Sequence, residues 1–216
     1  MFITFEGIEG CGKTTQVKRL GKILAALDIE FISTFEPGGT RIGRKIRRIL
    51  LDPKNHDLIP LAELLLYAAD RAQHVEEVIR PALEAGKWVI CDRFTDATLV
   101  YQGVARGQDM EIIRVLNDKV TQGISPDITF LLDCPEETGL RRATARISRE
   151  SAGDQDRFER EGMAFHGKVR QAYLDLARSE SKRFIVIDGT MPKEDVAGDI
   201  LRHLVPHLER AKGKKV

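Results

Sequence analysis

The sequence predicts an α/β fold in three layers, with a five-stranded parallel sheet covered by helices on both faces. Short apolar segments alternate with segments of helical periodicity, as expected when each strand is followed by a crossover helix. The apolar segments lack polar alternation, which indicates strands buried on both faces. Polar and glycine residues follow several of these segments, where parallel sheets bind ligands. They are Gly7, Glu36, Asp92 and Asp133.

Each element can be assigned from its apolar pattern. The five strand segments are residues 2–5, 30–34, 87–91, 128–132 and 184–187. Apolar residues at helical spacing predict helices over residues 17–27, 42–50, 61–85, 109–122, 136–146, 162–179 and 193–208. We expect a break or kink at Pro81, because proline lacks the amide hydrogen and clashes with the preceding helical turn.

The composition indicates the general class of the protein. The 216 residues are 42% hydrophobic and 31% charged, which is typical of one globular domain. A net charge of +1 argues against a nucleic-acid binder that works by bulk charge. No apolar run reaches the roughly 18 residues of a membrane span, and the N-terminus lacks a signal-peptide pattern. Three widely spaced cysteines, Cys11, Cys91 and Cys134, indicate reduced thiols, so we expect a cytoplasmic protein.

Residues 7–14 form a phosphate-binding motif. They read GIEGCGKT and match G-x-x-x-x-G-K-[ST] between an apolar strand and an amphipathic helix. Glycines let backbone amides face an anion, and the helix N-terminus adds partial positive charge. Lys13 suits the β- and γ-phosphates, and the Thr14 hydroxyl suits Mg²⁺. The motif predicts that a nucleoside triphosphate is bound by Gly7, Ile8, Glu9, Gly10, Cys11, Gly12, Lys13, Thr14 and Thr15.

Further short motifs follow along the chain. They are EPGGT at 36–40, DRF at 92–94, YQG at 101–103, DRFE at 156–159 and GT at 189–190. In these motifs and in their order the chain resembles the thymidylate kinases, and the resemblance extends from Gly7 to Thr190. It is similar to the bacterial type in which lid arginines meet the γ-phosphate, because residues 8–11 contain no arginine.

This resemblance implies a P-loop NTPase fold in which residues 1–216 form a single nucleoside monophosphate kinase domain, with a lid at about 142–157. It implies transfer of the γ-phosphate of ATP to dTMP, giving dTDP and ADP in dTTP biosynthesis, with Mg²⁺ as the cofactor. It also implies a homodimer, with neither nucleic acid nor a membrane as a partner. The apolar residues at 61–66 are compatible with such a dimer.

The resemblance also implies catalytic roles, and these agree with the demands of phosphoryl transfer. Two nucleotides bring about five to six negative charges together, so arginines must converge on the site. Arg93 is expected to reach between the two phosphate chains. The metal is assigned to Thr14, Asp92 and Glu9, and Arg146, Arg149 or both are expected to close over ATP. The catalytic set is Lys13, Arg93, Asp92, Glu9, Arg146 and Arg149.

The resemblance also assigns the residues of the two nucleotide sites, because they stand at positions that match the pattern of the thymidylate kinases. Tyr67 and Arg71, four residues apart on one helix face, match positions that place a ring against thymine and an arginine at a base carbonyl. Gly189 and Thr190 match the loop against which adenine rests. Tyr101 matches a ring that favours deoxyribose over ribose, and a cis peptide is expected before Pro37. The dTMP set is Glu36, Pro37, Tyr67, Arg71, Arg93, Thr98, Tyr101 and Gln102.

Two positions depart from the family pattern. Phe35 stands where many bacterial relatives have arginine, so a contact to the acceptor phosphate is either missing or supplied by Arg41, Arg44 or Arg48. Ala97 stands where relatives usually have serine, so a small contact to the base edge is lost. Both departures leave the preference for dTMP over dUMP open.

Two alternatives remain open from the sequence. One is a P-loop kinase for another nucleoside monophosphate, and the other is a non-catalytic nucleotide-binding protein. A non-catalytic protein would be expected to lose Lys13, Asp92, Arg93 or the lid arginines, and all of them are present. A GTPase switch is excluded because no N-K-x-D guanine motif occurs.

Overall fold

The computed structural model describes residues 1–150, 157–158 and 161–213, and it confirms the predicted fold class. All strand pairs of the five-stranded sheet are parallel, and the strand order is β2-β3-β1-β4-β5. The strands are β1 (Phe2–Glu6), β2 (Phe31–Phe35), β3 (Trp88–Asp92), β4 (Ile128–Asp133) and β5 (Phe184–Asp188). Because β1 is central, the phosphate loop that follows it lies in the middle of the carboxyl edge of the sheet.

Helices connect the strands. They are α1 (Lys13–Ala26), α2 (Arg41–Leu51), α3 (Pro60–His74), α4 (Arg80–Glu84), α5 (Thr95–Thr98), α6 (Met110–Thr121), α7 (Glu136–Glu150), α8 (Met163–Ser179) and α9 (Lys193–Gly213). The Thr40 hydroxyl accepts from Gly43 N at 2.8 Å at the start of α2, which satisfies an amide of the first turn. Within the described ranges no helix is long and apolar enough to cross a membrane.

The core lies on both sides of the sheet because alternate strand residues point to opposite faces. Phe2 packs with Val75 and Ile79 in one apolar cluster. Its neighbours along the strand, Ile3 and Phe5, belong to the other and larger cluster. All five side chains are at most 1% exposed, which explains why β1 reads as an apolar segment without polar alternation.

Of the break or kink predicted at Pro81, the break is wrong, because the chain stays helical through this residue, and the kink stays a prediction. Between α3 and α4 lies a π-helical segment, Val75–Ile79, in which the Arg80 amide bonds the Val75 carbonyl five residues earlier. Proline has no amide hydrogen, and its ring crowds the carbonyl of the preceding turn. A widened turn just before Pro81 relieves this crowding without ending the helix.

A second π-helical segment, Leu99–Ala105, continues α5 and was not predicted from the sequence. It contains Tyr101 and Gln102, which are buried. Segments of this kind are frequent at functional sites, because the wide turn changes the direction of the side chains that it carries. Here it directs two residues of the predicted acceptor site toward the carboxyl edge of the sheet.

Candidate active site

The loops that follow β1, β2, β3 and β5 line one large cavity at the carboxyl edge of the sheet. Its volume of about 1520 Å³ exceeds the roughly 300–1,000 Å³ of most small-ligand pockets. Gly7 and Ile8 lie at the base of the phosphate loop and are buried. The predicted site residues that line the cavity are Glu9, Gly10, Cys11, Gly12, Lys13, Thr14, Thr15, Glu36, Pro37, Tyr67, Arg71, Asp92, Arg93, Thr98, Tyr101, Gln102, Arg146, Gly189 and Thr190.

The phosphate loop curves around the Lys13 ammonium group. Lys13 Nζ donates to the carbonyl oxygens of Gly7 at 2.9 Å and Ile8 at 2.8 Å. Lys13 is also the first residue of α1, so its formal charge and the positive end of the helix lie together. This combination favours the binding of a phosphate chain, as the motif predicts.

The phosphate loop packs backbone to backbone against α7. Gly10 has a φ of +72°, and a Cβ at this position would collide with the Gly139 carbonyl oxygen. A Cβ at Gly139 would in turn lie 2.5 Å from the Glu9 carbonyl oxygen. Only glycine fits at both positions, so the backbone of α7 around Gly139 packs directly against the phosphate loop.

Thr14 and Asp92 together form a candidate site for Mg²⁺. Thr14 Oγ1 donates to Asp92 Oδ2 at 2.6 Å, so a hydroxyl and a carboxylate from two loops meet beside the phosphate loop. This oxygen donor set fits Mg²⁺, which one or two carboxylates commonly hold together with substrate phosphates. Among the described residues, no group of three or more His, Cys, Asp or Glu could hold a metal ion.

Arg93 lies between the phosphate loop and the acceptor side of the cavity. Its φ of +71° is a strained backbone conformation for a residue other than glycine, and such strain is frequent at active sites. NH2 donates to Glu9 Oε1 at 2.7 Å and to Tyr101 Oη at 3.0 Å, and NH1 donates to Tyr173 Oη at 3.3 Å. In the described part of the chain its ion pair is therefore with Glu9 and not with Asp92.

Glu9 is the anion of this network. Burial alone would raise its pKa, but the Arg93 guanidinium, together with His166, Lys13 and Tyr101, outweighs burial and holds the pKa of Glu9 well below its usual range. Tyr101 Oη also donates to Glu9 Oε1 at 2.7 Å, and His166 Nδ1 lies 3.3 Å from Glu9 Oε2. Thr14 is not among these partners, so the predicted metal-binding role of Glu9 stays a prediction.

Arg71 is almost completely buried on the acceptor side. Its Nε donates to Glu36 Oε2 at 2.8 Å, and NH1 donates to Thr98 Oγ1 at 2.9 Å and to Asn117 Oδ1 at 2.8 Å. NH2 donates to the Phe94 carbonyl at 2.9 Å. Within the described residues these bonds use four of the five N–H groups and leave one NH2 hydrogen.

The loop of residues 36–40 begins with the cis Glu36–Pro37 peptide, as predicted. Glu36 Oε1 accepts from His74 Nδ1 at 2.9 Å, and its other carboxylate oxygen accepts from Arg71. Burial would raise the pKa of Glu36, but the charge of Arg71, followed by the hydrogen bond from His74, lowers it. Glu36 is therefore an ionised carboxylate that both partners hold against α3.

Tyr67 and Gln102 line the same side of the cavity. Burial, followed by the charge of Glu63, raises the pKa of Tyr67, so its phenol remains neutral. Glu63 is 1% exposed and was not predicted as a site residue. It accepts from Gln102 Nε2 at 2.9 Å and pairs with Arg157 NH1 at 2.7 Å. The sequence signal for it is a spacing of four residues from Tyr67 and eight from Arg71, which places Glu63 on the same face of α3 as both.

Arg47 is the arginine that lies beside Phe35, and it was not predicted as a site residue. Arg47 lines the cavity, lies 5.5 Å from the centre of the Phe35 ring and donates to the Pro37 carbonyl at 2.8 Å. It is four residues from the buried Gly43 and therefore on the inner face of α2. Arg41, Arg44 and Arg48 are exposed and do not line the cavity, so the structure gives no support to a phosphate contact from any of them.

Gly189 and Thr190 line the cavity, and a Cβ at Gly189 would lie 3.1 Å from the Cys11 carbonyl oxygen of the phosphate loop. Arg142, which was not predicted, donates to the carbonyl oxygens of Gly189 at 2.8 Å and Thr190 at 3.4 Å. Arg146 follows one turn later in α7, and its exposed side chain lines the cavity. The other parts of the predicted lid and of its DRFE motif lie outside the described residues: the side chain of Arg149, residues 151–156 and residues 159–160.

Comparisons with known proteins show which family the chain resembles. Residues 5–200 match the family model described as Thymidylate kinase. The chain is 57% identical over 213 residues to the thymidylate kinase of Desulfosudis oleivorans, covering 97% of this chain and 100% of the relative. It is 53% identical over 208 residues to that of Geobacter sulfurreducens, covering 95% and 98%. A crystal structure of thymidylate kinase from Ehrlichia chaffeensis matches with a TM-score of 0.75 and 34% identity, covering 94% of this chain and 97% of that one.

Proposed function

The chain belongs to the thymidylate kinase family and transfers phosphate from ATP to dTMP, and from this premise we propose how its residues carry out the transfer. ATP lies along the phosphate loop, and dTMP lies over the side of the cavity that contains Tyr67 and Arg71. The phosphate chains of the two nucleotides meet at Arg93. The observation that carries this proposal is the position of Arg93, which bonds Glu9 of the phosphate loop and Tyr101 of the acceptor side.

On the donor side, positive charge is concentrated at the start of α1. The loop amides and the Lys13 ammonium group bind the β- and γ-phosphates, because Lys13 lies within the curve of the loop. Thr14 and Asp92 would hold Mg²⁺, an ion that neutralises charge on the β- and γ-phosphates in kinases. The proposed position of adenine is against Gly189 and Thr190, which line the same cavity.

Arg93 stabilises the charge that develops on the transferring phosphoryl group. Three of its N–H groups donate to described residues, which leaves two of five for phosphoryl oxygens. A guanidinium that is already oriented needs little reorganisation when charge develops, and this makes it effective in a site closed to water. Arg146, Arg149 or both add positive charge from α7. Arg146 is supported by its place in the cavity wall.

On the acceptor side, the thymine ring lies against Tyr67, and the remaining Arg71 hydrogen bonds a base carbonyl. Thr98 meets the N3 edge of the base, next to that carbonyl, and is held in place by Arg71. Arg47 supplies the contact to the acceptor phosphate that arginine at position 35 provides in relatives, because it lines the cavity beside Phe35. Glu36, Pro37 and Gln102 complete the wall, and the Tyr101 ring crowds the 2′ position of the sugar.

The proposed assembly is a homodimer that packs through α3 and α6. These two helices contact each other, and both expose large apolar side chains. Leu61 is 53% exposed, Leu65 48%, Ile112 50% and Val115 63%. An apolar surface of this kind is typical of a protein–protein interface. Light scattering coupled to size-exclusion chromatography tests it: Val115→Glu should convert a dimer to a monomer, and a wild-type monomer would exclude the dimer.

The proposed location is the cytoplasm. All three cysteines are buried free thiols, Cys11, Cys91 and Cys134. Unpaired thiols are typical of a reducing compartment. Fractionation of the native host cells tests this location, and recovery of the protein outside the cytoplasmic fraction would contradict it.

The experiment that tests the proposed mechanism is Arg93→Ala in a coupled ADP-release assay. We expect kcat to fall by roughly 100-fold or more while the KM for ATP changes little, because Arg93 acts on charge that develops in the transition state. A change confined to the KM for ATP would contradict the role given to Arg93.

A further inference from the structure

The Arg93 guanidinium is held from two sides, and one of them lies outside the cavity. Through NH2 it contacts Glu9 and Tyr101, which line the cavity. Through NH1 it donates to Tyr173 Oη at 3.3 Å, and Tyr173 Oη donates in turn to Glu6 Oε2 at 2.6 Å. Tyr173 is 1% exposed, Glu6 is 0% exposed, and neither belongs to the cavity wall. A hydrogen-bonded chain therefore connects Arg93 with the interior of the protein.

Glu6 also fixes the backbone at Arg93. Its second carboxylate oxygen, Oε1, accepts from Phe94 N at 2.8 Å, and the Arg93 amide itself donates to the Phe5 carbonyl at 3.0 Å. Between these two bonds Arg93 has its φ of +71°, a conformation that persists only where the surroundings hold it. The Glu6 carboxyl group, at the end of β1, thus holds both the Phe94 amide and the Tyr173 hydroxyl. The Arg93 guanidinium donates to this hydroxyl.

We propose that Glu6 and Tyr173 are positioning residues for phosphoryl transfer, which together fix the Arg93 guanidinium between the two nucleotides. The proposal rests on the proposed function, in which Arg93 stabilises the transferring phosphoryl group. Since neither residue lines the cavity, both act through Arg93 and not by touching a nucleotide. An arginine side chain has several rotatable bonds, and a fixed acceptor for NH1 reduces the orientations open to it before the substrates bind.

The Tyr173→Phe variant tests this proposal, because it removes the hydroxyl and keeps the ring that packs 6.3 Å from the Tyr101 ring. We measure kcat and both KM values by ADP release in two backgrounds, wild type and Arg93→Lys. In the wild-type background kcat should fall roughly tenfold, with the KM for ATP unchanged within about twofold. In the Arg93→Lys background the same change should alter kcat by less than about twofold, because no guanidinium is left to position.

The possible outcomes distinguish a failure of the positioning role from a failure of the proposed function. Equal losses of kcat in both backgrounds would show that Tyr173 acts independently of Arg93, and would overturn the positioning role. Wild-type kcat for Tyr173→Phe would overturn it as well. If the Arg93→Lys variant keeps wild-type kcat, the catalytic role of Arg93 is contradicted. The positioning role is then contradicted as well, because it depends on that catalytic role. A tenfold loss that disappears in the Arg93→Lys background supports both.

A matched control and a second variant complete the design. Thr4→Val removes a buried hydroxyl from the same strand as Glu6, where it bonds Thr129 Oγ1 at 2.8 Å, and it should leave kcat unchanged. Glu6→Gln serves if Tyr173→Phe does not fold, because glutamine keeps an acceptor for Phe94 N and loses the second carboxylate oxygen. The kcat of Glu6→Gln should fall at least roughly threefold in the wild-type background, and this loss should be absent in the Arg93→Lys background. A folded Glu6→Gln enzyme with full kcat would overturn the proposal.

Discussion

Replacing Glu6 with glutamine should change how the stability of the protein depends on pH. Glu6 is completely buried, and its burial, followed by the charge of Asp96, raises its pKa from 4.5 to about 7. Arg93 and hydrogen bonds from Tyr173 and Phe94 act in the opposite direction and do not cancel the effect of burial. The wild-type carboxyl group therefore stays protonated in the folded protein at pH values where it ionises in the unfolded chain.

The sign and size of the effect follow from this difference. Between pH 4.5 and about 7 the folded state binds more protons than the unfolded state, so the free energy of unfolding falls as pH rises through this window and levels off above it. At about 1.4 kcal/mol per pKa unit, the whole window corresponds to about 3 kcal/mol, most of which is lost between about pH 5 and pH 8. Glutamine does not titrate, so the Glu6→Gln variant lacks this loss.

Urea unfolding followed by circular dichroism at pH 5, 6, 7 and 8 measures the effect. The difference in free energy of unfolding between Glu6→Gln and wild type should shift by about 2 to 3 kcal/mol in favour of the variant from pH 5 to pH 8. Contributions of all other titrating groups that the substitution leaves unchanged cancel in this difference. A difference independent of pH would refute the reasoning. Thr4→Val should show such a constant difference and serves as the control.

Three further predictions concern turnover. Lys13→Ala should reduce kcat to below about 1% of wild type without changing the thermal unfolding midpoint by more than a few degrees, and normal turnover would contradict the phosphate-loop assignment. Tyr101→Ala should weaken discrimination against UMP relative to dUMP, and an unchanged kcat/KM ratio would place the ring away from the sugar. Arg47→Ala should raise the KM for dTMP roughly tenfold and leave the KM for ATP unchanged, because a charge-assisted contact is lost. Arg44→Ala, on the exposed face of the same helix, is the control, and an equal effect of both would contradict the role of Arg47.

The strands and the phosphate loop could be predicted because their signals are local. A strand buried on both faces is predominantly apolar, and β1 fulfils this with Phe2, Ile3 and Phe5. The meeting of Thr14 with Asp92 was also predictable, since the carboxyl ends of parallel strands share one edge of the sheet. In these cases residue type and position along the chain determine the placement.

Other site residues could not be predicted because their roles depend on packing between distant elements. Arg47 was missed among five basic residues of one helix, although its spacing of four from Gly43 places it on the inner face. Glu6 lies just beyond the predicted strand of residues 2–5 and was given no role. Nothing local indicates that Tyr173, 167 residues later in the chain, lies 2.6 Å from it. The place of Glu63 in the site likewise depends on its contacts with Gln102 and Arg157, which are distant in the sequence.

The most direct test of the acceptor site is the specificity of ADP release with ATP and Mg²⁺, measured separately with dTMP, dUMP, UMP, CMP, AMP and GMP. We predict the highest kcat/KM for dTMP, because Tyr67, Arg71 and Thr98 line the cavity and the remaining Arg71 hydrogen is proposed to bond a base carbonyl. A higher kcat/KM for any of the other five monophosphates would contradict the acceptor site described above.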